Sequence, residues 1–260
     1  MRTGLALSGG GVRGLAHVGI IKAFRENNIH IDEYSGSSAG ALVAAMAAAD
    51  CTIQDMLDFW LDTKPLSILN IVFGEPAIFN TMNYIDPIKK FVKHENFEDL
   101  PFKLTVCATA MLSGKLHFFD SGPLWPIVLA SATFPVVFSP VEWEGEIYMD
   151  GGIIDNFPVE PLRPSCDFVI GINVDPHREI LKEDLQTVRD VVERVMDLRF
   201  QGDSDIKADF CDVLIQPDRI DFYSTFQTSA MLEIFQLGYE AGLKAVPEIR
   251  RKLSESQQNI

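Results

Sequence analysis

The sequence predicts an α/β fold: a three-layer α/β/α sandwich around a mostly parallel central sheet. Three observations carry that reading. The first fifty residues twice repeat the order strand, Gly-rich turn, helix, an alternation that builds a parallel sheet covered on both faces. Residues 4–8 (GLALS) and 168–174 (FVIGINV) are short, continuous apolar runs of the kind found in strands buried on both sides. The chain has 260 residues with 47% apolar content, enough for one large core, and no Ser/Gly-rich linker or internal repeat divides it.

The elements follow in order. After the first strand, residues 13–28 run as a helix whose apolar members Leu15, Ala16, Val18, Ile20, Ile21 and Phe24 cover most of its circumference, as in a buried helix. A second strand at 31–35 enters the turn GSSAG, and ALVAAMAAA behind it has the highest helix propensity in the chain. Residues 52–100 read as irregular, Phe-rich helical pieces broken at Pro65, Pro76 and Pro87, a cap over the sheet edge. Further strands are predicted at 103–109, 115–119, 168–174 and 212–216. Two later helices carry apolar stripes, Leu185, Val188, Val192 and Val195 in one and Leu232, Phe235, Tyr239 and Val246 in the other, which the periodicity assigns to core packing. Residues 1–252 form a single domain on this reading. Residues 253–260 (LSESQQNI) read as a polar, disordered tail.

A formal net charge of −15 argues against nucleic acid as a partner, since phosphate binding needs a basic stripe. It also disfavours permanent residence on an anionic membrane, while transient contact with a lipid surface through a small apolar patch stays open. The four cysteines, Cys51, Cys107, Cys166 and Cys211, form no C-x-x-C pair and give no support to a metal site. Met1-Arg2-Thr3 leads into an apolar run too short for the core of a signal peptide, and the longest small-and-apolar run, residues 39–49, is far below the roughly 20 residues that span a bilayer. The expectation is a cytoplasmic protein; its oligomeric state is not legible.

Two glycine turns carry the chemistry. Gly9, Gly10, Gly11 and Gly14 form a Gly-x-Gly-x-x-Gly pattern, which suits either a dinucleotide pyrophosphate or an oxyanion. The first use requires an acidic residue about 20 positions on, and Asp32 and Glu33 lie near that place. The second turn favours the other use. Gly36-Ser37-Ser38-Ala39-Gly40 has the form Gly-x-Ser-x-Gly at a strand-to-helix junction, where Gly36 and Gly40 let the backbone turn sharply and expose the Ser38 hydroxyl. Ser38 is the candidate nucleophile, and Gly9 to Gly11, following an adjacent parallel strand, lie where backbone N–H groups serve an oxyanion.

A serine needs a base. Of five histidines, His17, His30, His94 and His117 have no accompanying signal, and His177 in NVDPH stands where an α/β-hydrolase triad in the order Ser, Asp, His would place it. Ser38 comes after only two strands, earlier than that arrangement has it. Asp150, in the turn Tyr148-Met149-Asp150-Gly151-Gly152, is the better base, with Asp155 as the fallback.

Taken together and in order, GGGVRG, GSSAG, ASATFPVVFSPV and DGG resemble the patatin-like phospholipase family, from about residue 4 through Gly152, with a looser echo in GYEAG (238–242). The resemblance implies a patatin-like α/β/α fold and a lipid acyl hydrolase of phospholipase A or esterase type, working through a Ser38–Asp150 dyad and an acyl-enzyme, without cofactor or metal. It implies Gly9, Gly10 and Gly11 as the oxyanion loop. It gives Arg13 the basic position after that loop, where it stabilises the loop or meets a substrate phosphate, the alternative being an ordinary surface arginine at a helix start. A short-chain esterase or thioesterase using the same dyad is the alternative. A dinucleotide-binding protein using Gly9 to Gly14 and Asp32 is the remaining one.

Overall fold

The structure, a computed structural model, describes residues 1–63, 78–177 and 179–258. Eight strands form one mixed sheet: β1 (Thr3–Leu7), β2 (Glu33–Gly36), β3 (Lys103–Ala110), β4 (Lys115–Phe119), β5 (Val141–Trp143), β6 (Glu146–Asp150), β7 (Phe168–Ile172) and β8 (Val213–Ile215). Their order is β5-β6-β3-β2-β1-β7-β8, with β4 paired to β3. The five strands from β3 through β8 along this order run parallel, β4 and β6 each pair antiparallel with β3, and β5 pairs antiparallel with β6.

Both faces of the sheet are packed. Successive strand residues point to opposite sides. Accordingly Leu5 and Leu7 join the large cluster containing helices α1 (Leu15–Glu26) and α2 (Ala39–Ala48), while Ala6 between them packs with Phe157, Val159 and Leu162. The remaining helices are α3 (Ile53–Thr63), α4 (Ile85–Lys89), α5 (Leu124–Ser131), α6 (Val188–Ala208) and α7 (Met231–Gln258). Among the described residues no helix is long and apolar enough to cross a membrane.

Four expectations change. The antiparallel β5–β6 hairpin and helix α5 carry no strong sequence signal: β5 and α5, of three and eight residues, are too short for a period to register, and β6 (EIYMD) has a charged residue at each end in place of a continuous apolar run. Pro87 does not break a helix; it sits in the first turn of α4, where its missing N–H has no intrahelical acceptor to lose. Pro65 and Pro76 lie outside the described residues.

The tail from Leu253 is helical through Gln258 rather than disordered. It is a continuation of α7, held by Leu253 against the core and by an Arg251–Glu255 pair. Finally, only Val192 of the predicted stripe packs on the core: Leu185 precedes α6 and is 40% exposed, while Val188 is 82% and Val195 58% exposed. The inward line is Val192 and Met196, half-buried, and Phe200, buried, one turn apart, which packs on Phe79, Phe134 and Val137.

Candidate active site

Register on β3 brings the two turns together. Gly36, the last residue of β2, pairs with Val106, and Asp150, the last residue of β6, pairs with Ala108. Residues 112 apart in sequence thus meet at one end of the sheet, and the Ser38 hydroxyl donates to Asp150 Oδ2 at 2.7 Å.

Ser38 caps α2 with φ 54° and ψ −126°, a left-handed conformation that costs a non-glycine residue about 1–3 kcal/mol. The turn closes because the backbones nearly touch: a Cβ on Gly40 would lie 2.3 Å from the Leu7 carbonyl oxygen, and one on Gly36 would lie 2.6 Å from that of Gly40. The Ser38 N–H donates to Ser131 Oγ at 3.0 Å. Strain and hydrogen bond together hold the hydroxyl above the sheet, over the positive N-terminal end of α2.

Asp150 is fully buried. Its Oδ1 accepts from the Gly152 N–H at 2.9 Å, its own N–H donates to the Thr133 carbonyl, and its carbonyl accepts from Thr109 Oγ1. Desolvation dominates its proton affinity and pushes the carboxyl up to about 7, although the bonds from Ser38 and Gly152 pull the other way. It is a carboxylate with the basicity of a histidine. Asp155, the fallback, faces elsewhere and pairs with Lys207 Nζ at 2.6 Å.

The glycine loop divides. The Gly9 N–H donates to the Asn156 carbonyl at 2.9 Å, so Gly9 is no oxyanion donor; it belongs to the loop as an anchor packed against Ser38. Gly10 and Gly11 have amides with no hydrogen-bond partner among the described residues, and both line a pocket with Ser38. At Gly11 φ is +57°, and a Cβ there would lie 2.4 Å from the Thr225 carbonyl oxygen. Only glycine fits.

Arg13 is 1% exposed, and its Nη2 lies 2.8 Å from Asp175 Oδ1. A guanidinium enclosed in this way cannot reach a substrate phosphate. Its Nε donates to the Gly10 carbonyl at 3.2 Å, a contact with the glycine loop itself.

The dinucleotide reading fails on topology. Asp32 exchanges hydrogen bonds with Thr3 at the start of β1, both at 2.8 Å, whereas the glycine loop follows the end of that strand. Five residues of strand separate them, about 17 Å. Glu33 is buried and paired to Lys103 and Arg2 at the same far edge.

His17 is buried, held at about 4 by desolvation and thus neutral, with Nε2 2.8 Å from the Ser8 carbonyl. His177 is exposed, on the segment after Asp175. The Ser38 hydroxyl already donates to a carboxylate, so His177→Ala is expected to leave kcat/KM of ester hydrolysis within about twofold of wild type, where loss of a general base costs about 10²-fold or more. A hundredfold drop with unchanged melting temperature would restore the triad.

The pocket above Ser38 is apolar, walled by Leu42, Phe59, Trp60, Phe134, Phe200 and Phe226, and no charged side chain lines it among the described residues. Its aromatic walls come from α3, α6 and two loops, which no local pattern ties to the glycine turns. Ser131 and Thr133, which hold Ser38 and Asp150, were visible only as part of the ASATFP segment. Asn156, Asp175, Asp197 and Thr225 around the loop carried no sequence signal as isolated polar residues.

A family model for patatin-like phospholipase matches residues 5–163. An uncharacterized NTE family protein of Mycobacterium tuberculosis is 34% identical over 179 residues, covering 67% of this chain and 49% of that protein. A lysophospholipase of Coccidioides immitis is 29% identical over 181 residues, 66% of this chain and 11% of its own length. The chain therefore spans about half the length of the mycobacterial relative and about a tenth of the fungal one. Among solved structures, VipD from Legionella pneumophila superposes with a TM-score of 0.55 at 17% identity, over 95% of this chain and 67% of that one, a likeness of fold. With its glycine loop, serine turn and Asp-Gly-Gly turn all inside the matched residues 5–163, the chain belongs to the patatin-like phospholipase family.

Proposed function

We propose that the chain is a serine acyl hydrolase that cleaves the acyl ester bond of a lipid through Ser38 and Asp150. The observation that carries this reading is the 2.7 Å bond from the Ser38 hydroxyl to a buried carboxylate of raised proton affinity, beside an apolar pocket.

In this mechanism the ester's acyl chain lies in the pocket and its carbonyl carbon stands over Ser38. Asp150 takes the hydroxyl proton as Oγ attacks, and the Gly10 and Gly11 N–H groups stabilise the oxyanion of the tetrahedral intermediate. Collapse expels the alcohol, which leaves with the proton from Asp150. Water, deprotonated by Asp150, then attacks the acyl-enzyme by the same route and releases the fatty acid and free Ser38. Exposed Ile78, Val136 and Val188 line a neighbouring cleft that shares Phe134 and Phe226 with the pocket, and they support transient contact with a lipid surface.

Labelling with a fluorophosphonate, followed by intact mass and peptide mapping, tests the reading. One adduct on Ser38 is the expected result, and none under conditions where a known serine hydrolase reacts would overturn it. A series of p-nitrophenyl esters separates a lipid from a short-chain substrate. Burial of about 0.8 kcal/mol per CH2 predicts kcat/KM rising up to about fourfold per added methylene while the pocket has room. A maximum at acetate would assign a short-chain esterase instead.

A further inference from the structure

We infer that Asp175 and Asp197 are positioning residues for the oxyanion loop, acting through the buried Arg13. The inference rests on the acyl-hydrolase reading of the site.

Four elements converge on one guanidinium. Asp175 follows β7, Asp197 projects from α6, Thr225 precedes α7, and Arg13 itself lies in the helical turn after the glycine loop. Arg13 Nη2 stands 2.8 Å from Asp175 Oδ1, 3.7 Å from Asp197 Oδ1 and 3.1 Å from Thr225 Oγ1. All four side chains are at least nine-tenths buried. An ion cluster taken out of water in this way is a costly means of filling space, and apolar side chains of similar volume would stabilise the fold as well or better. Its retention beside the candidate oxyanion donors calls for another role.

The guanidinium is a rigid planar fork. When the carboxylates hold Nη2, the direction of Nε–H is fixed as well, and that N–H donates to the Gly10 carbonyl at 3.2 Å alongside Arg13's own backbone N–H at 3.2 Å. In a trans peptide the carbonyl and the following N–H point in opposite directions. Anchoring the Gly10 oxygen on the Arg13 side therefore turns the Gly11 N–H away from Arg13, to the side where a substrate oxyanion is held. Asp175 also secures the other end of the loop. Its Oδ2 accepts from Asn156 Nδ2 at 3.3 Å, and the Asn156 carbonyl accepts the Gly9 N–H. Without one carboxylate the guanidinium swings, and the Gly10–Gly11 peptide loses its fixed angle.

Charge alone predicts the opposite result from position. Two carboxylates near a developing oxyanion repel it, so neutralising one by substitution with Asn would speed the reaction if the field were what mattered. If position matters, the reaction slows.

The test uses Asp197→Asn and Asp175→Asn in the full chain, with kcat and KM on a soluble p-nitrophenyl ester. Affinity for an alkyl trifluoromethyl ketone, which forms an oxyanion on the serine, and the melting temperature complete the set. We expect kcat to fall about 10- to 100-fold with KM within about twofold, and ketone affinity to fall by the same factor as kcat. Asp197→Glu, which keeps the carboxylate, should recover part of both. Should Asp175→Asn not fold, Asp197→Asn at the longer contact carries the test.

Unchanged or faster kcat with unchanged ketone affinity would overturn the inference. So would a raised KM at constant kcat, which is the mark of a loosened fold. A wild type that neither hydrolyses ester nor takes the fluorophosphonate would overturn the acyl-hydrolase reading and this inference with it, a result distinct from an active wild type with indifferent variants.

Discussion

Ser38→Ala is expected to lower kcat/KM for ester hydrolysis by at least about 10⁴-fold, because loss of a nucleophile removes the acyl-enzyme route and leaves only the donors and the pocket. The fold should survive the change. Alanine inherits the same φ of 54° and is no more strained there than serine, while Ser131 still accepts the residue 38 N–H. What the variant loses is the hydroxyl that donates to Asp150. That bond favours the charged carboxylate, so its removal raises the proton affinity of Asp150 further and leaves the carboxyl protonated at neutral pH. Melting temperature should stay within a few degrees of wild type near pH 6, and the fluorophosphonate adduct should vanish. Residual activity above about 1% of wild type, in protein freed of contaminating esterase, would move the nucleophile elsewhere.

The sequence made the two ends of this chemistry legible for a local reason. A nucleophile turn needs small residues on both sides of the serine, and the steric demand at Gly36 and Gly40 is written within five residues. The parallel half of the sheet was equally local, since GLALS and FVIGINV are each one buried strand. The brace around the loop was not legible. Arg13 meets Asp175, Asp197 and Thr225 at separations of 162, 184 and 212 residues, and nothing near any of these residues marks it as a partner of the others. The α6 stripe misled for a related reason. Its apolar period is real, and Val188 and Val192 line the same cleft, but only the tertiary fold decides that the packed stretch is Val192, Met196 and Phe200 while Val188 at the helix start and Val195 meet solvent.

Asp150→Asn should lower kcat/KM by about 10³- to 10⁴-fold, within the range that a general base contributes, and should also change how activity and stability depend on pH. In the wild type the working form is the carboxylate. With its proton affinity raised to about 7 by burial, kcat/KM should climb about tenfold per pH unit below 7 and level off above about pH 8. The residual activity of the Asn variant should lack that slope.

Stability moves the other way. A carboxyl whose folded value lies above its unfolded value of 3.8 contributes stability that is fully present below pH 3.8 and lost as pH rises through about 7, because the folded state then holds an ion it solvates poorly. Asparagine is neutral throughout and keeps an acceptor for the Gly152 N–H, the bond made at 2.9 Å in the wild type. Asp150→Asn should therefore gain on wild type by an amount that grows between pH 4 and pH 8, on the order of a few kcal/mol at the upper end. Melting curves across that range, set beside the pH–rate profile, read both consequences of one buried carboxylate. A flat wild-type rate profile together with parallel melting curves for the two proteins would show that Asp150 does not titrate near 7, and full activity of Asp150→Asn would pass the role of base to another residue.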